Sequence, residues 1–379
     1  MQAIILAGGH ASRLRRIDSP VPKPMLPLFD RPLLEHMVSL LARHGISDII
    51  ATVSHQALDI ARYFGDGRRF GVRIRYSIES EPLGTAGALR SVQHMITDEF
   101  LVIPGDLITD IDLSAAVAAH RSSGASATLL TYEADDPSLY TCLAIDSGEK
   151  VLKIAVKPDS DQLFGNIVST GIRIFDREII TLIPPFESRD IDRDVIPRLL
   201  HNGEPVQGFR ARGYWCDAGY GLSYKNAHFD ALSGALKLDL RADHIGDGVW
   251  LGERVEVHPE AEIKGPAYVG AGTIVKRGAT VGERAVIGED TLIEEGAHIS
   301  HSIVGAGCLI GKEASIIGCV LGPGYRASEA ETALEETLIQ HVEYARFSTE
   351  PAIAEEITND SETARDRDDF PTRGSRAAR

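Results

Sequence analysis

Two short segments near the start of the chain contain residue types that suit phosphate chemistry. The first, Leu6-Ala7-Gly8-Gly9-His10-Ala11-Ser12-Arg13-Leu14, directly follows a predicted strand. Paired glycines let backbone amides approach a polyphosphate, and an arginine adds a planar cation. The second, Pro22-Lys23-Pro24-Met25-Leu26-Pro27, stiffens the backbone around one lysine, which suits a fixed charge beside a transferring phosphoryl group. Taken separately, the two segments are also typical of a tight structural turn and of a proline-rich surface loop.

The elements around these segments alternate between strands and helices. Runs rich in β-branched residues predict strands at 3–7, 46–53, 72–78 and 100–103. Helical spacing predicts helices that start at Leu33 and end before Gly45, and that cover 85–96 and 113–120. Such alternation implies βαβ units and a mainly parallel sheet covered on both faces. Because Gly105-Asp106 directly follows one apolar run, we expect it at the carboxyl edge of the sheet, where such sheets bind ligands.

A different period begins at Ile245. Apolar residues recur every six positions, and after a one-residue slip the series continues at Val304, Ile310 and Ile316. The unbroken part of the series is Ile245, Leu251, Val257, Ile263, Val269, Val275, Val281, Ile287, Ile293 and Ile299. An α-helix cannot keep a period of six on one face, whereas a prism with three short strands per turn can. The sequence therefore predicts a parallel β-helix over 245–322.

Composition limits the classes of protein to which this chain can belong. Its 379 residues allow two or three domains, and 43% hydrophobic and 25% charged residues are typical of globular proteins. The net charge of −16 argues against a general binder of duplex nucleic acid. No window approaches the ~20 apolar residues of a membrane span, and four scattered cysteines suit neither a disulfide framework nor a zinc site. We expect a soluble, reduced, cytoplasmic protein without a signal peptide.

Changes in composition and in the spacing of apolar residues divide the chain into five regions. We expect a first domain over 1–230, a linker over 231–244 and the β-helix over 245–322. A helical extension is predicted over 323–346. The stretch at 347–379 alternates acids and arginines with few large apolar residues, so we expect a disordered tail there.

Together the motifs resemble the signature of the sugar nucleotidyltransferases, which is Gly-Gly-x-Gly-Thr-Arg-Leu followed by Pro-Lys-Pro. The resemblance continues at Glu81-Pro82-Leu83-Gly84-Thr85-Ala86-Gly87, Gly105-Asp106, Asp194-Val195-Ile196-Pro197-Arg198 and Trp215-Cys216-Asp217-Ala218-Gly219. It covers about residues 1–322 and is most similar to mannose-1-phosphate guanylyltransferase-like members with a carboxyl-terminal hexapeptide β-helix. It implies an α/β fold, in which a Rossmann-like nucleotidyltransferase domain with a mainly parallel sheet is followed by a left-handed parallel β-helix.

The reaction implied by the resemblance is attack of a sugar-type 1-phosphate on the α-phosphorus of a nucleoside triphosphate, with release of pyrophosphate. By the same resemblance Arg13 and Lys23 are the catalytic cations, and Asp106 and Asp217 hold Mg²⁺. The implied nucleotide contacts are Leu6, Ala7, Gly8, Gly9, Ser12, Glu81, Gly84 and Thr85. A turn-forming aspartate after a strand is the local alternative for Asp106, and a buried capping acid is the alternative for Asp217.

Three departures from the family pattern fall where the resemblance puts the sugar. The family's Glu-Lys-Pro is Val156-Lys157-Pro158, its Asn-x-Gly is Ser169-Thr170-Gly171, and its Tyr-Gly is Tyr140-Thr141. Valine accepts no hydrogen bond, and an unpaired buried polar group costs about 1–3 kcal/mol. We therefore expect an unusual acceptor, such as a deoxy-sugar or cyclitol phosphate, with its phosphate on Lys157. The implied acceptor contacts are Thr141, Val156, Lys157, Ser169 and Thr170. A regulatory paralogue that binds nucleotide sugars without turnover is the alternative.

The sequence also bears on the choice of nucleotide, on the oligomeric state and on one alternative activity. The form of the segment from Glu81 to Gly87 resembles purine-using members, so GTP is favoured, with ATP or dTTP open. The flat sides of a β-helix suit symmetric contacts, so we expect a homo-oligomer, either a dimer or a tetramer. His258, His298 and His301 leave open a hexapeptide-repeat acyltransferase, although surface histidines explain them more simply.

Overall fold

The computed structural model describes residues 1–8, 22–54, 58–185, 187–218, 221–335 and 337–338. The strands of the N-terminal domain, β1 to β13, are Gln2–Ala7, Pro27–Leu28, Arg31–Pro32, Asp48–Ser54, Arg73–Glu79, Phe100–Pro104, Leu107–Thr109, Ala127–Glu133, Thr141–Ile145, Val151–Val156, Ile167–Phe175, Val206–Arg210 and Trp215–Asp217. The helices α1 to α6 are Leu33–Arg43, Leu58–Phe64, Gly84–Ser91, Leu113–Ser123, Ile196–His201 and Gly221–Leu232. Short 3-10 turns include Lys23–Met25, and a π-helical turn, Ile191–Val195, precedes α5.

A nine-stranded sheet forms the centre of this domain. Its main path runs β10-β9-β11-β6-β1-β4-β5, and β8 pairs with both β11 and β12. The strands β6, β1, β4 and β5 are parallel neighbours, with Gln2 paired to Asp48 on one side and to Phe100 on the other. Ile4 and Ile5 of β1 are both buried, which explains why this strand is a continuous apolar run in the sequence. The predicted α/β fold with mainly parallel strands is confirmed.

The other half of the sheet is mostly antiparallel, with β12 parallel to β8 as the exception, and the sequence pattern does not predict this. β11 pairs antiparallel with β6, β8 and β9. Its register with β8 shifts between Ser169 and Arg173, and Gly171 has a φ of 86° there. A Cβ on Gly171 would lie 2.9 Å from Cγ of Pro104, so only glycine fits where β11 crosses the end of β6.

Helices pack on both faces of the sheet. Successive side chains of β1 point to opposite faces of the sheet. Ile5 belongs to the core cluster that contains α1, and Ile4 belongs to the cluster that contains α3 and α5. α1 begins at Leu33 and ends before Gly45, as expected. α3 ends at Ser91 rather than at residue 96, because the Ser91 hydroxyl donates to the Ala88 carbonyl oxygen at 2.8 Å and the chain continues in turns.

Two smaller ladders lie beside the main sheet. β7 pairs antiparallel with β13, so that Leu107 is opposite Asp217. β2 and β3 form a hairpin with Phe29 and Asp30 at its turn. The hairpin follows the Lys23–Met25 turn directly, so it fixes how that turn leaves the domain.

The C-terminal domain is a parallel β-helix built from three sheets, as predicted. Its strands, β14 to β30, are Asp243–Gly246, Val249–Leu251, Glu256–Val257, Glu262–Ile263, Ala267–Val269, Ile274–Val275, Thr280–Val281, Ala285–Ile287, Leu292–Ile293, His298–Ser300, Ile303–Val304, Leu309–Ile310, Ser315–Ile317, Val320–Leu321, Arg326–Ala327, Thr332–Leu334 and Thr337–Leu338. Sheet I contains β14, β15, β18, β21, β24, β27 and β30. Sheet II contains β16, β19, β22, β25 and β28, and sheet III contains β17, β20, β23, β26 and β29.

The residues that recur every six positions fill the inside of the β-helix. Members that are at most 1% exposed include Val275, Val281, Ile287, Ile293 and Ile299. The expectation is wrong at the first turn, where Ile245 is 61% and Val257 is 38% exposed. Val257 lies in the first strand of sheet II and has a neighbouring strand on one side only, while Ile245 lies in a strand that pairs antiparallel with β15.

The helix predicted over 323–346 is wrong within its described part. β28, β29 and β30 occupy this region and continue sheets II, III and I. Ala327 and Ala333 are 3% and 2% exposed, at interior positions that larger residues take in earlier turns. Alanine also has the highest helix propensity, so the sequence pattern was ambiguous there. The predicted disordered tail at 347–379 lies outside the described residues.

Sheet I packs against the N-terminal domain. Tyr268, Val286 and Ile303, which lie on successive strands of sheet I, share one core cluster with residues of that domain. The two domains therefore bury apolar surface against each other. Within the described residues, no helix is long and apolar enough to cross a membrane.

Sheet II has an outward-facing row of residues that are in register across its five strands. The sheet II row consists of Glu256, Ile274, Leu292, Leu309 and Arg326. In the last four strands of this sheet the other residue (Val275, Ile293, Ile310 or Ala327) lies in the interior of the β-helix, so the row faces away from the core. The row has an acidic end, an apolar middle and a basic end.

Candidate active site

The ends of β1 and β6 lie side by side at the carboxyl edge of the parallel strands. The amide of Gly105 donates to the carbonyl oxygen of Leu6 at 2.9 Å. A Cβ on Gly105 would lie 3.2 Å from the Cβ of Ala7, so the two segments are in close contact. Asp106 is the next residue, and it therefore stands beside the point where the chain leaves β1 through Gly8.

Asp217 reaches the same edge through the β7–β13 ladder. It pairs with Leu107, which immediately follows Asp106. Nζ of Lys23 lies 3.9 Å from Oδ2 of Asp106, and the two side chains are 15% and 34% exposed. One cation and two carboxylates from distant parts of the sequence are thus brought to a partly open site.

Two neighbouring carboxylates fit a magnesium ion. Proteins commonly bind Mg²⁺ through one or two carboxylates, while substrate phosphates and water supply the remaining oxygens. Asp106 and Asp217, which the β7–β13 pairing places at the same edge of the sheet, are the two carboxylates that could meet this requirement. Across the described ranges, no group of three or more His, Cys, Asp or Glu side chains could form a metal site from protein ligands alone. The donor set therefore suits an ion that arrives with a polyphosphate.

Glu79 is a residue of this region that the motifs do not reveal. It ends β5, is 8% exposed, and accepts a hydrogen bond from the Leu83 amide at 3.3 Å. A Cβ on Gly8 would lie 3.0 Å from Oε1 of Glu79, so this carboxyl fills the space beside Gly8. Burial raises the pKa of Glu79, and the hydrogen bond from Leu83 partly opposes that shift. The sequence feature that could have pointed to Glu79 is its position directly after the strand predicted at 72–78.

Glu81, Gly84 and Thr85 lie around the start of α3. Glu81 is exposed, whereas the hydroxyl of Thr85 donates to Oδ2 of Asp190 at 3.0 Å. Gly84 has a φ of 70°, and a Cβ there would collide with the carbonyl oxygen of Arg189. Packing against the 189–191 segment explains the glycine and the threonine without a ligand, so the predicted nucleotide contacts stay predictions.

The residues predicted to hold the acceptor lie on three neighbouring strands. Val156 ends β10 and pairs with Thr141, which begins β9. Val168 of β11 pairs with Cys142, which brings Ser169 close to Thr141. Val156 is partly exposed, whereas Thr141 and Ser169 are buried. An apolar, accessible side chain therefore lies where the family pattern has a carboxylate.

Lys157 and Thr170 complete the acceptor set but differ in their surroundings. Lys157 is exposed, has a φ of 49°, and donates its amide to the Tyr140 carbonyl oxygen at 2.9 Å. Thr170 is 3% exposed, and its hydroxyl donates to the Leu130 carbonyl oxygen at 3.0 Å. Its own carbonyl oxygen accepts from Nε1 of Trp215 at 2.9 Å. Thr170 therefore supports the sheet, while Lys157 offers a cation at its edge.

A buried ion pair behind Thr141 was missed by the sequence motifs. Oδ2 of Asp192 accepts from the Thr141 hydroxyl at 2.9 Å, and Oδ1 accepts from Nε and Nη2 of Arg173 at 3.1 and 2.6 Å. Asp192 and Arg173 are 8% and 7% exposed. Breaking such a pair leaves an uncompensated charge and costs about 3–5 kcal/mol. The sequence feature that could have pointed to this pair is an arginine between the apolar residues Ile172 and Ile174 of β11.

The structure does not describe three of the predicted phosphate contacts. Gly9, Ser12 and Arg13 fall within 9–21 and lie outside the described residues. Their roles at the phosphates stay predictions. The described part of the predicted site, from Leu6 to Gly8 together with Lys23, Asp106 and Asp217, does converge on one edge of the sheet.

Comparison with protein families identifies both domains. The family model described as Nucleotidyl transferase matches residues 2–234, which is more than half of the chain. The model described as GMPPB C-terminal domain matches residues 245–346.

Individual relatives agree with these matches. A UTP–glucose-1-phosphate uridylyltransferase of Synechocystis sp. is 34% identical over 349 residues, covering 86% of this chain and 85% of the relative. A mannose-1-phosphate guanylyltransferase of Mycobacterium tuberculosis is 32% identical over 282 residues, covering 73% and 75%. A solved structure of a proposed glucose-1-phosphate thymidylyltransferase of Bacillus anthracis has a TM-score of 0.57 and 28% identity, covering 63% of this chain and 97% of that chain. As its motifs predict, the chain belongs to the nucleotidyl transferase family.

Proposed function

We propose that this chain is a sugar-1-phosphate nucleotidyltransferase, which joins a nucleoside triphosphate to a sugar-type 1-phosphate and releases pyrophosphate. The observation that supports this most directly is the approach of Lys23 to Asp106 at 3.9 Å, beside Asp217 on the paired strand. A cation and two carboxylates at the carboxyl edge of a parallel sheet suit a meeting point for two phosphates. The two relatives named above are, by name, a uridylyltransferase for glucose 1-phosphate and a guanylyltransferase for mannose 1-phosphate.

The proposed reaction is a displacement at the α-phosphorus. An oxygen of the acceptor's phosphate forms a bond to this phosphorus, while the bond to the oxygen that bridges to the β-phosphate breaks. Pyrophosphate leaves with that electron pair. The incoming oxygen is already ionised, so no protein base has to remove a proton from it. The task of the protein is to align two anions and to offset their charge.

We assign Lys23 and Arg13 to that task. Lys23 is the cation proposed for the α-phosphate, and Arg13 with the amides of Gly8 and Gly9 is the group proposed to bind the leaving pyrophosphate. Asp106 and Asp217 are the residues that would hold Mg²⁺, which when bound supplies further positive charge to the phosphates. Because Lys23 lies beside Asp106, its ammonium group is already at the point where the phosphates are to be received.

For the acceptor we propose a sugar-like 1-phosphate whose ring is less polar than a common hexose, such as a deoxy sugar or a cyclitol. Val156 supports this, because it is partly exposed at the end of β10 and cannot accept a hydrogen bond from a ring hydroxyl. The Thr141 hydroxyl opposite it already donates to Asp192. Lys157, next along the chain and exposed, is the cation proposed for the acceptor's phosphate.

For the triphosphate we propose GTP. The support is the form of the segment from Glu81 to Gly87, together with the guanylyltransferase among the relatives. The uridylyltransferase among them makes UTP a direct competitor, and ATP and dTTP complete the set to be tried.

The test is to incubate the purified protein with each triphosphate, Mg²⁺ and a panel of 1-phosphates, and to measure pyrophosphate. We expect release with at least one pair and the highest rate with GTP. Binding of nucleotide sugars without pyrophosphate from any pair would favour the regulatory paralogue instead. Thermal stabilisation by acetyl-CoA, but not by triphosphates with Mg²⁺, would favour an acyltransferase.

We propose in addition that the chain forms a homo-oligomer, works in the cytoplasm, and has neither nucleic acid nor membrane as a partner. The net charge of −16 supports the exclusion of nucleic acid. No disulfide links the four cysteines, all of which are within the described residues, and this fits a reducing compartment. The sheet II row supports self-association, because its two ends carry opposite charges.

A further inference from the structure

The hairpin β2–β3 connects Lys23 to the C-terminal domain. Phe29, at its turn, contacts Tyr268 of β18 in an edge-to-face arrangement with ring centroids 4.9 Å apart. Tyr268 is 1% exposed and is one of the sheet I residues that share a core cluster with the N-terminal domain. A residue of the β-helix therefore presses on the turn that comes six positions after Lys23.

Phe29 has a backbone conformation that is unfavourable for a bulky residue. Its φ is 58°, in the left-handed region, and such conformations persist only where the surroundings fix them. The Phe29 amide donates to Nε2 of His228 at 3.2 Å, and Nδ1 of His228 lies 3.0 Å from the Tyr224 carbonyl oxygen. His228 is thus neutral with its hydrogen on Nδ1. The Tyr224 hydroxyl also donates to the carbonyl oxygen of Pro27, so α6 holds the hairpin at two points.

The backbone between Lys23 and the hairpin is also bonded. The Leu26 amide donates to the Lys23 carbonyl oxygen at 3.0 Å, and the Leu33 amide donates to the Leu26 carbonyl oxygen at 2.9 Å. The Leu28 carbonyl oxygen accepts from Nε2 of His36 at 3.1 Å. Prolines at 22, 24 and 27 restrict the remaining torsions. The backbone between the hairpin and Lys23 is therefore restrained, and a displacement of the hairpin turn should also displace Lys23.

We propose that the β-helix is a working part of the catalytic site, because Tyr268 holds Phe29 in its left-handed conformation and, through the hairpin, fixes Lys23 beside Asp106. Tyr268 and Phe29 are positioning residues, since they act through Lys23. This inference rests on the proposed role of Lys23 in phosphoryl transfer. Misplacing a catalytic group by about 1 Å can cost on the order of 100-fold in rate. Loss of the contact should therefore lower kcat and leave KM for the triphosphate nearly unchanged.

The first experiment compares three variants of the full chain for pyrophosphate release. Tyr268→Ala removes the ring, and Tyr268→Phe keeps it. Ile299→Ala is the matched control, because Ile299 is fully buried inside the β-helix on β23 of sheet III, away from the hairpin. We expect Tyr268→Ala to lower kcat by about 10- to 100-fold with KM changed less than about twofold. Tyr268→Phe and Ile299→Ala should keep the kcat of the unaltered protein.

The second experiment measures the hairpin without using activity. Hydrogen–deuterium exchange of a peptide covering 22–32 reports the amides of Met25, Leu26 and Phe29, all of which donate hydrogen bonds here. We expect exchange of this peptide to accelerate in Tyr268→Ala and to stay unchanged in Tyr268→Phe and Ile299→Ala. Lys23→Ala, which leaves these backbone bonds in place, should abolish activity while its exchange stays normal.

The two readouts separate failure of this inference from failure of the proposed function. If the unaltered protein releases no pyrophosphate, the proposed function fails, and unchanged exchange in Tyr268→Ala would then overturn the structural link as well. Faster exchange with a normal kcat would show that the hairpin does not position Lys23. An equal loss of kcat in Tyr268→Ala and Ile299→Ala would assign the effect to general destabilisation of the β-helix. Unchanged exchange in Tyr268→Ala, faster exchange with a normal kcat, and an equal loss of kcat in the control each overturn the inference, whereas absence of pyrophosphate release overturns the proposed function.

Discussion

Lys23 and Asp106 carry opposite charges 3.9 Å apart, yet neither side chain is deeply buried. An ion pair of this exposure contributes about 1 kcal/mol or less to stability. Stability alone therefore does not account for the prolines around Lys23 or for Gly105 at the end of β6. A cation and an acid that are both held at the edge of a sheet, in contact with water, are better suited to receive a ligand.

The first prediction follows from that exposure. Lys23→Ala and Asp106→Asn should each lower kcat at least about 100-fold, because each removes a charge that acts on the phosphates in the transition state. The free energy of unfolding should change by less than about 1 kcal/mol in either variant. Pyrophosphate release and urea denaturation are the measurements. Lys153→Ala, which removes an exposed lysine of β10, is the control and should leave both unchanged. Near-normal activity in Lys23→Ala would mean that the site is elsewhere.

The second prediction concerns Val156 and the acceptor. Val156→Glu restores the carboxylate of the family pattern beside Thr141, so it should raise kcat/KM for common hexose 1-phosphates by about tenfold, the equivalent of one good hydrogen bond. Val156→Leu is the control, because it changes size without adding an acceptor, and it should bring no such gain. The measurement is kcat/KM across a panel of 1-phosphates. Equal profiles for all three proteins would remove Val156 from the acceptor site.

At the scale of elements, the hairpin β2–β3 lies between two buried neutral histidines. His36 donates to the Leu28 carbonyl oxygen, and His228 accepts from the Phe29 amide. Burial lowers the pKa of each histidine to about 4, whereas an unfolded histidine titrates near 6.5. Between these values the unfolded chain binds protons that the folded chain does not. Stability contributed by these groups is therefore fully present above pH 6.5 and is lost as the pH falls toward 4.

The third prediction is the size and origin of this loss. Each histidine adds a slope of up to about 1.4 kcal/mol per pH unit within the window. His228→Gln can still accept from the Phe29 amide and donate to the Tyr224 carbonyl oxygen, but it cannot take up a proton. Urea denaturation at pH 7.5, 6.5, 5.5 and 4.5 should give a shallower decline for His228→Gln than for the unaltered protein. Parallel curves would show that His228 does not contribute to the pH dependence.

The elements that the sequence predicted well are those whose pattern is set locally. Buried parallel strands appear as continuous apolar runs, and the β-helix appears as a period of six that no α-helix can keep. The antiparallel pairings of β11 were not predicted, because the partners of this strand are determined by long-range contacts. The last turns of the β-helix were mistaken for a helix, because alanines such as Ala327 and Ala333 fill the interior there and also favour helices.

The site shows the same division. Lys23 and Asp106 belong to local motifs, and the structure brings these two together. Glu79 becomes part of the region only because β5 ends near Gly8 in the folded chain. Arg173 and Asp192 meet only because β11 and the π-helical turn pack together. Contacts of that kind join residues that are far apart in the sequence and follow no fixed spacing. They become evident only from strand pairing and burial in the folded structure.

At the scale of the whole molecule, the N-terminal domain and sheet I share one core cluster, and among the described residues no member of sheet II belongs to that cluster. The sheet II row has Glu256 at one end and Arg326 at the other, about 19 Å apart at ~4.8 Å per strand. Ile274, Leu292 and Leu309 lie between them, and Ile274 is 38% exposed. A two-fold axis through Leu292 would stack Ile274 on Leu309 of a second copy and Glu256 on its Arg326. A parallel arrangement would instead bring like charges together, so the row favours an antiparallel pair of identical chains.

The fourth prediction tests this pairing by charge reversal. Glu256→Arg alone faces Arg326 of the second copy with a like charge, and Arg326→Glu alone faces Glu256 in the same way, so each should weaken association. The double variant restores opposite charges at both ends of the row and should recover the oligomer, which no general loss of stability would do. Leu292→Glu puts two carboxylates face to face on the axis and should give monomers, while Thr280→Glu on sheet III should not. Light scattering after size-exclusion chromatography measures each mass. A monomeric unaltered protein, or an oligomer that ignores both single reversals, would rule out the sheet II row as the contact.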